Sequence, residues 1–193
     1  MAIDPYDKSI GLRLPKVSAD ILLVSHQHKD HNNISAVLGK PFIIDGPGEY
    51  EIKDVFIKGI PAFHDEAEGK ERGGVVMYKI EAEDIKLAHL SDLGQRELTD
   101  SQLEALGEVD ALILPVGSSH SLDAKGAANI ISQIEPRLVI PMHYKIPKLK
   151  IALEPVSKFL KTMGAEGAKP EKKLKLTPKT LPAEETKIIV LEP

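Results

Sequence analysis

Short apolar runs, each closed by a polar residue, glycine or proline, set the rhythm of this chain. Ile21-Leu22-Leu23-Val24 anchors a buried strand predicted over 19–24. Residues 33–38 read as a short helix ending at Gly39, and 41–44 as a strand closed by Asp45-Gly46-Pro47-Gly48, a strong turn signal. Residues 50–52 and 55–60 read as antiparallel neighbours, and 75–80 with 85–90 as a hairpin, the two pairs being separated by a polar loop over 65–74. The rhythm then changes. Residues 99–106 predict a helix capped by Thr99 or Asp100, 111–116 a strand, and 123–134 an amphipathic helix with Ile130, Ile131 and Ile134 on its apolar side. A strand over 138–142, a helix over 155–163 ending at Gly164 and an edge strand over 188–191 complete the pattern. A hairpin-rich first half followed by alternating strand and helix fits a layered α/β fold.

Composition narrows the field. At 193 residues the chain suits one domain, residues 1–193, with a real core. A net charge of −4 gives no basic footprint, so duplex nucleic acid is not an expected partner. The lysine-rich stretch 169–179 reads as a solvated loop. Cysteine is absent, which excludes disulfides, thiolate ligands and a cysteine nucleophile, and suits a reducing cytoplasm. The sequence carries no apolar run of membrane-span length and no signal-peptide pattern.

The candidate chemistry begins at His26-x-His28-x-Asp30-His31, directly after the predicted strand. Residues two apart on an extended segment point the same way, so His26 and His28 can face one ion, while Asp30 and His31 reach a second beside it. Further polar residues follow apolar runs at His64, Asp92 and His143. Each is of a type that completes a metal shell, and strand ends are where loops carry function. His120 follows the strand 111–116 and is a candidate donor to substrate, equally readable as an exposed loop residue. His89 reads as structural or as a support for the ligands, the neighbouring pair Tyr144 and Lys145 as solvated, and the loop 65–72 as a candidate lid.

Four segments together carry a resemblance: Ser25-His26-Gln27-His28-Lys29-Asp30-His31-Asn32, Phe63-His64-Asp65, His89-Leu90-Ser91-Asp92-Leu93-Gly94 and Ile140-Pro141-Met142-His143-Tyr144-Lys145. In this order they resemble the metallo-β-lactamase fold superfamily, in particular a small single-domain branch of metal-dependent hydrolases distantly similar to ascorbate-6-phosphate lactonases. The resemblance implies a four-layer αββα sandwich. It assigns His26, His28 and His64 to one metal, Asp30, His31 and His143 to a second, and Asp92 to a bridge between them. Asp4, in Ile3-Asp4-Pro5, would orient ligands. Relatives usually carry two further strands before the Asp-Pro motif. The chain is therefore expected to be N-terminally short, with the gap lowering stability or being covered by a homo-oligomer.

The mechanism so implied is hydrolysis by a hydroxide held between two divalent ions, with Asp30 aiming it and His120 donating to substrate. Zinc is the default by ligand type, with manganese or iron as alternatives. The expected substrate is a small ester, lactone or phosphoester, an anionic one included. Two rival readings stand beside it: a phosphodiesterase or nuclease acting on RNA, and a non-catalytic metal-binding remnant of a truncated hydrolase.

Overall fold

The computed structural model describes residues 1–118 and 120–192, leaving Ser119 and Pro193 outside. The first half of the chain supplies β1 (Ala2–Ile3), β2 (Val17–Ser18), β3 (Ile21–Leu23), β4 (Val37–Leu38), β5 (Phe42–Ile44), β6 (Gly48–Ile52), β7 (Val55–Phe63), β8 (Gly74–Ala82) and β9 (Ile85–His89). The second half supplies α1 (Asp100–Leu106), β10 (Ala111–Pro115), α2 (Ala124–Ile134), β11 (Leu138–Met142), α3 (Val156–Thr162) and β12 (Lys187–Ile188).

Most of these strands form two sheets. The larger has seven strands in the order β12-β11-β10-β9-β8-β7-β6, and the smaller has three in the order β1-β3-β5. From β6 to β9 the pairing is antiparallel, so tight turns suffice. Lys53 and Asp54, then Glu83 and Asp84, take left-handed φ values of 52°, 60°, 50° and 59°, the two-residue turns that match strand twist. From β9 to β12 the pairing is parallel, which demands crossovers, and α1, α2 and α3 provide them. Thr99 starts α1 with a capping box completed by Gln102, and Asp123 caps α2 by accepting from Gly126 N at 2.8 Å.

Side-chain alternation divides the core. Leu112 and Leu114 of β10 and Val139 of β11 point to one face, where they meet Leu106, Ala127, Ile130, Phe159 and Leu160 from the three helices. Ile57, Tyr78 and Ile80 point to the other face and pack on Ile21, Leu23 and Ile44 of the smaller sheet. Each fully buried side chain of this size contributes roughly 1.5–3 kcal/mol relative to exposure. The buried Tyr78 hydroxyl donates towards Val24 O (2.8 Å) and Ile44 O (3.1 Å), tying the sheets together, and burial pushes its phenol pKa up.

Two elements depart from expectation. The helix predicted over 33–38 is a single 3₁₀ turn, Ile34–Ala36, and Val37 and Leu38 pair instead with Val17 and Ser18. The segment is too short to offset helix nucleation, and Asn33 makes no capping bond. This bears on the four-layer expectation. Among the described residues the three α-helices all cover one face of the larger sheet, whereas Leu22 and Val24 on the outer face of the smaller sheet meet Val37, Ala2, Ala19 and Ile34. The closing strand is also shorter than 188–191. Only Lys187 and Ile188 join the sheet, and Leu191 makes an isolated bridge to Glu171. Among the described residues no helix is long and apolar enough to cross a membrane.

Candidate metal centre

The candidate ligands come from four separate places in the sequence, and the two facing sheets bring them to one point. The 26–31 loop leaves β3, His64 follows β7, Asp92 lies in the loop after β9, and His143 follows β11. At the centre is Asp92. Its Oδ1 lies 2.6 Å from His143 Nδ1, and its Oδ2 lies 3.2 Å from His31 Nε2, 3.4 Å from His64 Nε2 and 3.8 Å from His26 Nε2. Ring centroids are 4.6 Å apart for His26 and His28, and 5.0 Å for His28 and His64.

Two sets of donors converge within 4.8 Å: His26 with His28 and His64, and His26 with His31 and Asp92. The first is the trio expected from the sequence. The second contains His31 and Asp92 as expected, but includes His26. Asp30 sits at its margin, with Oδ2 3.9 Å from His31 Nε2, and His143 joins it through Asp92.

The chemistry of these donors fits a cation. Among the described residues His26 Nε2 and His64 Nδ1 are buried with no hydrogen-bond partner. An unmet buried polar atom costs about 1–3 kcal/mol, and a ligated metal removes that cost. Charge points the same way. Burial raises the Asp92 carboxyl pKa, but His143 and His31 outweigh it and hold the group well below its usual range. Asp92 is therefore ionised, an anion in a nearly dry site.

Asp4 explains how the rings are aimed. Its Oδ1 accepts from Ser25 N (2.7 Å), and its Oδ2 accepts from Ser25 Oγ (2.6 Å) and lies 3.0 Å from His31 Nδ1. That contact fixes the far side of the His31 ring and leaves Nε2 for the centre. Ser25 Oγ, its hydrogen given to Asp4, is 3.0 Å from His26 Nδ1 and can accept from it. His26 then presents a bare Nε2. The orienting role expected of Asp4 has a geometric basis here. The role of Ser25 was missed by the sequence reading, its only signal being its place beside His26.

The same partners shift the histidines. Burial lowers the His31 pKa, but hydrogen bonds and charge from Asp4 and Asp92 raise it to about 10. For Asp4, burial raises the pKa and His31 with Ser25 brings it below the usual value. Burial, reinforced by the neighbouring imidazoles, pulls His26 to about 4, and burial also lowers His64. His89 is buried, again lowered to about 4 mainly by desolvation, and its Nδ1 accepts from Ser91 N at 3.2 Å, a supporting position as expected.

Backbone strain collects here. Asp4, Ser91 and His143 all adopt left-handed φ, at 48°, 52° and 51°. Each costs on the order of 1 kcal/mol, and such residues persist where the surroundings hold them in place. Gly94 solves a packing problem in the Asp92 loop. A Cβ there would stand 2.4 Å from the His64 carbonyl carbon, and Gly94 N donates to Phe63 O at 2.9 Å.

The loop expected to act as a lid is pinned. Asp65 accepts from the backbone N–H groups of Ala67, Gly69, Glu71 and Arg72 at 2.8, 2.9, 3.1 and 2.7 Å, so one carboxylate organises the whole turn. His120 lines the same cavity as His28, His64 and Asp92, with its backbone N bonded to Ser118 Oγ at 2.9 Å. Tyr144 is not solvated as expected. Its hydroxyl donates to Leu191 O at 2.8 Å, while Lys145 is exposed.

Comparison with known proteins agrees with this geometry. Residues 1–143 match the Beta-lactamase superfamily domain, and the chain belongs to the metallo-β-lactamase superfamily, in the UPF0173 metal-dependent hydrolase family. It is similar to a UPF0173 metal-dependent hydrolase of Thermococcus onnurineus, 26% identical over 169 residues that cover 74% of this chain and 75% of the relative. A Thermoplasma volcanium member is 30% identical over 173 residues, covering 74% of each protein. The crystal structure of a candidate Zn-dependent hydrolase of the superfamily from Thermotoga maritima superposes with a TM-score of 0.75 at 34% identity, covering 98% of this chain and 88% of that one.

Proposed function

We propose that this protein is a hydrolase that uses two divalent metal ions to cleave a small ester, lactone or phosphoester. The observation that carries the reading is the convergence of His26, His28, His31, His64 and His143 on one ionised carboxylate, Asp92, with buried imidazole nitrogens left unpartnered. In this reading His26, His28 and His64 would hold one ion, Asp30, His31 and His143 would hold the other, and Asp92 would be shared. The ions supply Lewis acidity and a water ionisable near neutral pH. Zinc is proposed from the nitrogen and oxygen donor set, and the similar Thermotoga protein is a candidate Zn-dependent hydrolase.

The chain's own groups do the rest. Asp4 and Ser25 hold the rings of His31 and His26 at a fixed tilt. In this reading Asp30, half-exposed at the margin of the cluster, would take a proton from water entering on that side. In the same reading His120, which lines the cavity, would give a proton to the departing oxygen. Because the centre is fed from strand ends and pinned loops, it is preorganised, which is what hydrolysis without a side-chain nucleophile requires.

Elemental analysis of the purified protein tests this. Close to two equivalents of zinc per chain, with turnover of simple esters, lactones or phosphodiesters that is lost on chelation, is the expected result. A protein that takes up no metal overturns it.

A further inference from the structure

We propose that the cavity beside the histidine cluster binds a linear alkyl chain, so that the substrate is an ester or lactone carrying an acyl tail rather than a compact polar molecule. The proposal rests on the hydrolase reading for the bond that is cut, but not for the binding of the tail.

The cavity has a volume of about 800 Å³, within the roughly 300–1,000 Å³ range of small-molecule sites. One end is the cluster itself. Away from it the wall is aliphatic: Ile113 and Ile140, partners across β10 and β11, and Ile10, Leu12, Ile146 and Leu149 from two loops. Ile113 and Ile140 point away from the helices, because their neighbours Leu112, Leu114 and Val139 point towards them.

The two loops are fastened to each other. Lys150 N donates to Ile10 O at 2.8 Å, and Gly11, at φ +92°, lets Lys148 O come within 2.2 Å of where a Cβ would stand. The aliphatic wall is thus built into the fold and is not a chance gap between mobile segments.

Of the polar groups on this wall, the two tyrosines and Ser118 are engaged, and Glu192 is exposed. The Tyr6 hydroxyl donates to Arg13 O (3.2 Å) and the Tyr144 hydroxyl to Leu191 O (2.8 Å), while Ser118 Oγ accepts from two backbone N–H groups. The cations on the lining, Lys29 and Arg72, belong to the loops that carry His28 and His64. A sugar or nucleotide would lose its water along the aliphatic wall and find few partners there. An alkyl chain loses nothing and gains burial.

The test is binding of a fluorescent medium-chain fatty acid, and its displacement by unlabelled acids from butanoate to dodecanoate, on zinc-loaded and on chelated protein. Hydrolysis of the matching phenyl esters is measured alongside. Affinity is expected to rise about fourfold for each added methylene until the cavity is filled. Leu149→Asp and Ile113→Trp are each expected to weaken the longest acids by at least about tenfold while leaving butanoate unchanged, a contrast that a folding defect does not produce. Affinity that is independent of chain length, or a length dependence that both variants leave intact, overturns the proposal. Length-dependent binding without ester turnover supports the acyl site and, where lactones and phosphodiesters are not cleaved either, removes the hydrolase reading. Turnover without length-dependent binding does the reverse.

Discussion

The two faces of the larger sheet are made by the same strands and do opposite things. On the helix face, Leu112, Leu114 and Val139 are fully covered by Leu106, Ile130 and Phe159, an aliphatic and aromatic layer. On the other face the next residues along, Ile113 and Ile140, line the cavity, and the strand ends beside them carry a crowd of imidazoles, carboxylates and left-handed backbone. A period of two lets one strand secure the fold with one set of side chains and pay out stability at a reactive site with the other. Stability and chemistry are thereby separable by single substitutions.

The largest break in that separation is Asp92→Ala. It removes the anion that four imidazoles share, so turnover should fall by at least about a thousandfold and bound metal should drop, as read by kinetics and elemental analysis. Retained activity would show that the centre does not work through Asp92. The sharpest contrast is between neighbours on β10. Leu112→Ala should cost about 3 kcal/mol in denaturant unfolding and leave metal content unchanged, while Ile113→Ala, facing existing space, should cost about 1 kcal/mol. Equal losses would mean that the two faces are packed alike.

The pH response separates the faces in another way. In chelated protein His89 is held neutral, at about 4 when folded against about 6.5 when unfolded. Between those values the unfolded chain binds more protons, so this contribution is complete above pH 6.5 and is lost as pH falls towards 4, by roughly 3 kcal/mol. His26 shares the direction and the window. Melting curves of chelated wild type and His89→Phe across this window check it, the variant being expected to lose less. The smallest effect is at Asp4→Asn. It keeps the shape but weakens the grip on His31, and about a ten- to hundredfold loss of metal affinity is expected by competition with a chelating dye.

Much of the candidate site was legible because these candidate ligands follow apolar runs: His26 after 21–24, His64 after β7, Asp92 after β9 and His143 after β11. The helices α1 and α2 were legible too, α1 from Thr99 as a candidate cap and α2 from its apolar periodicity. What escaped was set by contacts distant in sequence. The stretch 33–38 became a turn and a strand because Val17 and Ser18 offered it edge pairing, which no local pattern announces. The stiffness of the 65–73 loop depends on where one carboxylate points, and Ser25 matters only because Asp4 lies across from it. The aliphatic cavity draws on Ile10, Ile113 and Leu149, which meet only in the folded protein.

His31 lies between Asp4 and Asp92, which raise its pKa, so in the metal-free protein it is expected to carry a proton on the nitrogen that faces the cluster at neutral pH. A cation arriving there must expel that proton, so loading the protein is an act of acid release. The heat of metal titration will therefore include the ionisation enthalpy of whichever buffer takes the proton up, and will differ between Tris and phosphate at the same pH.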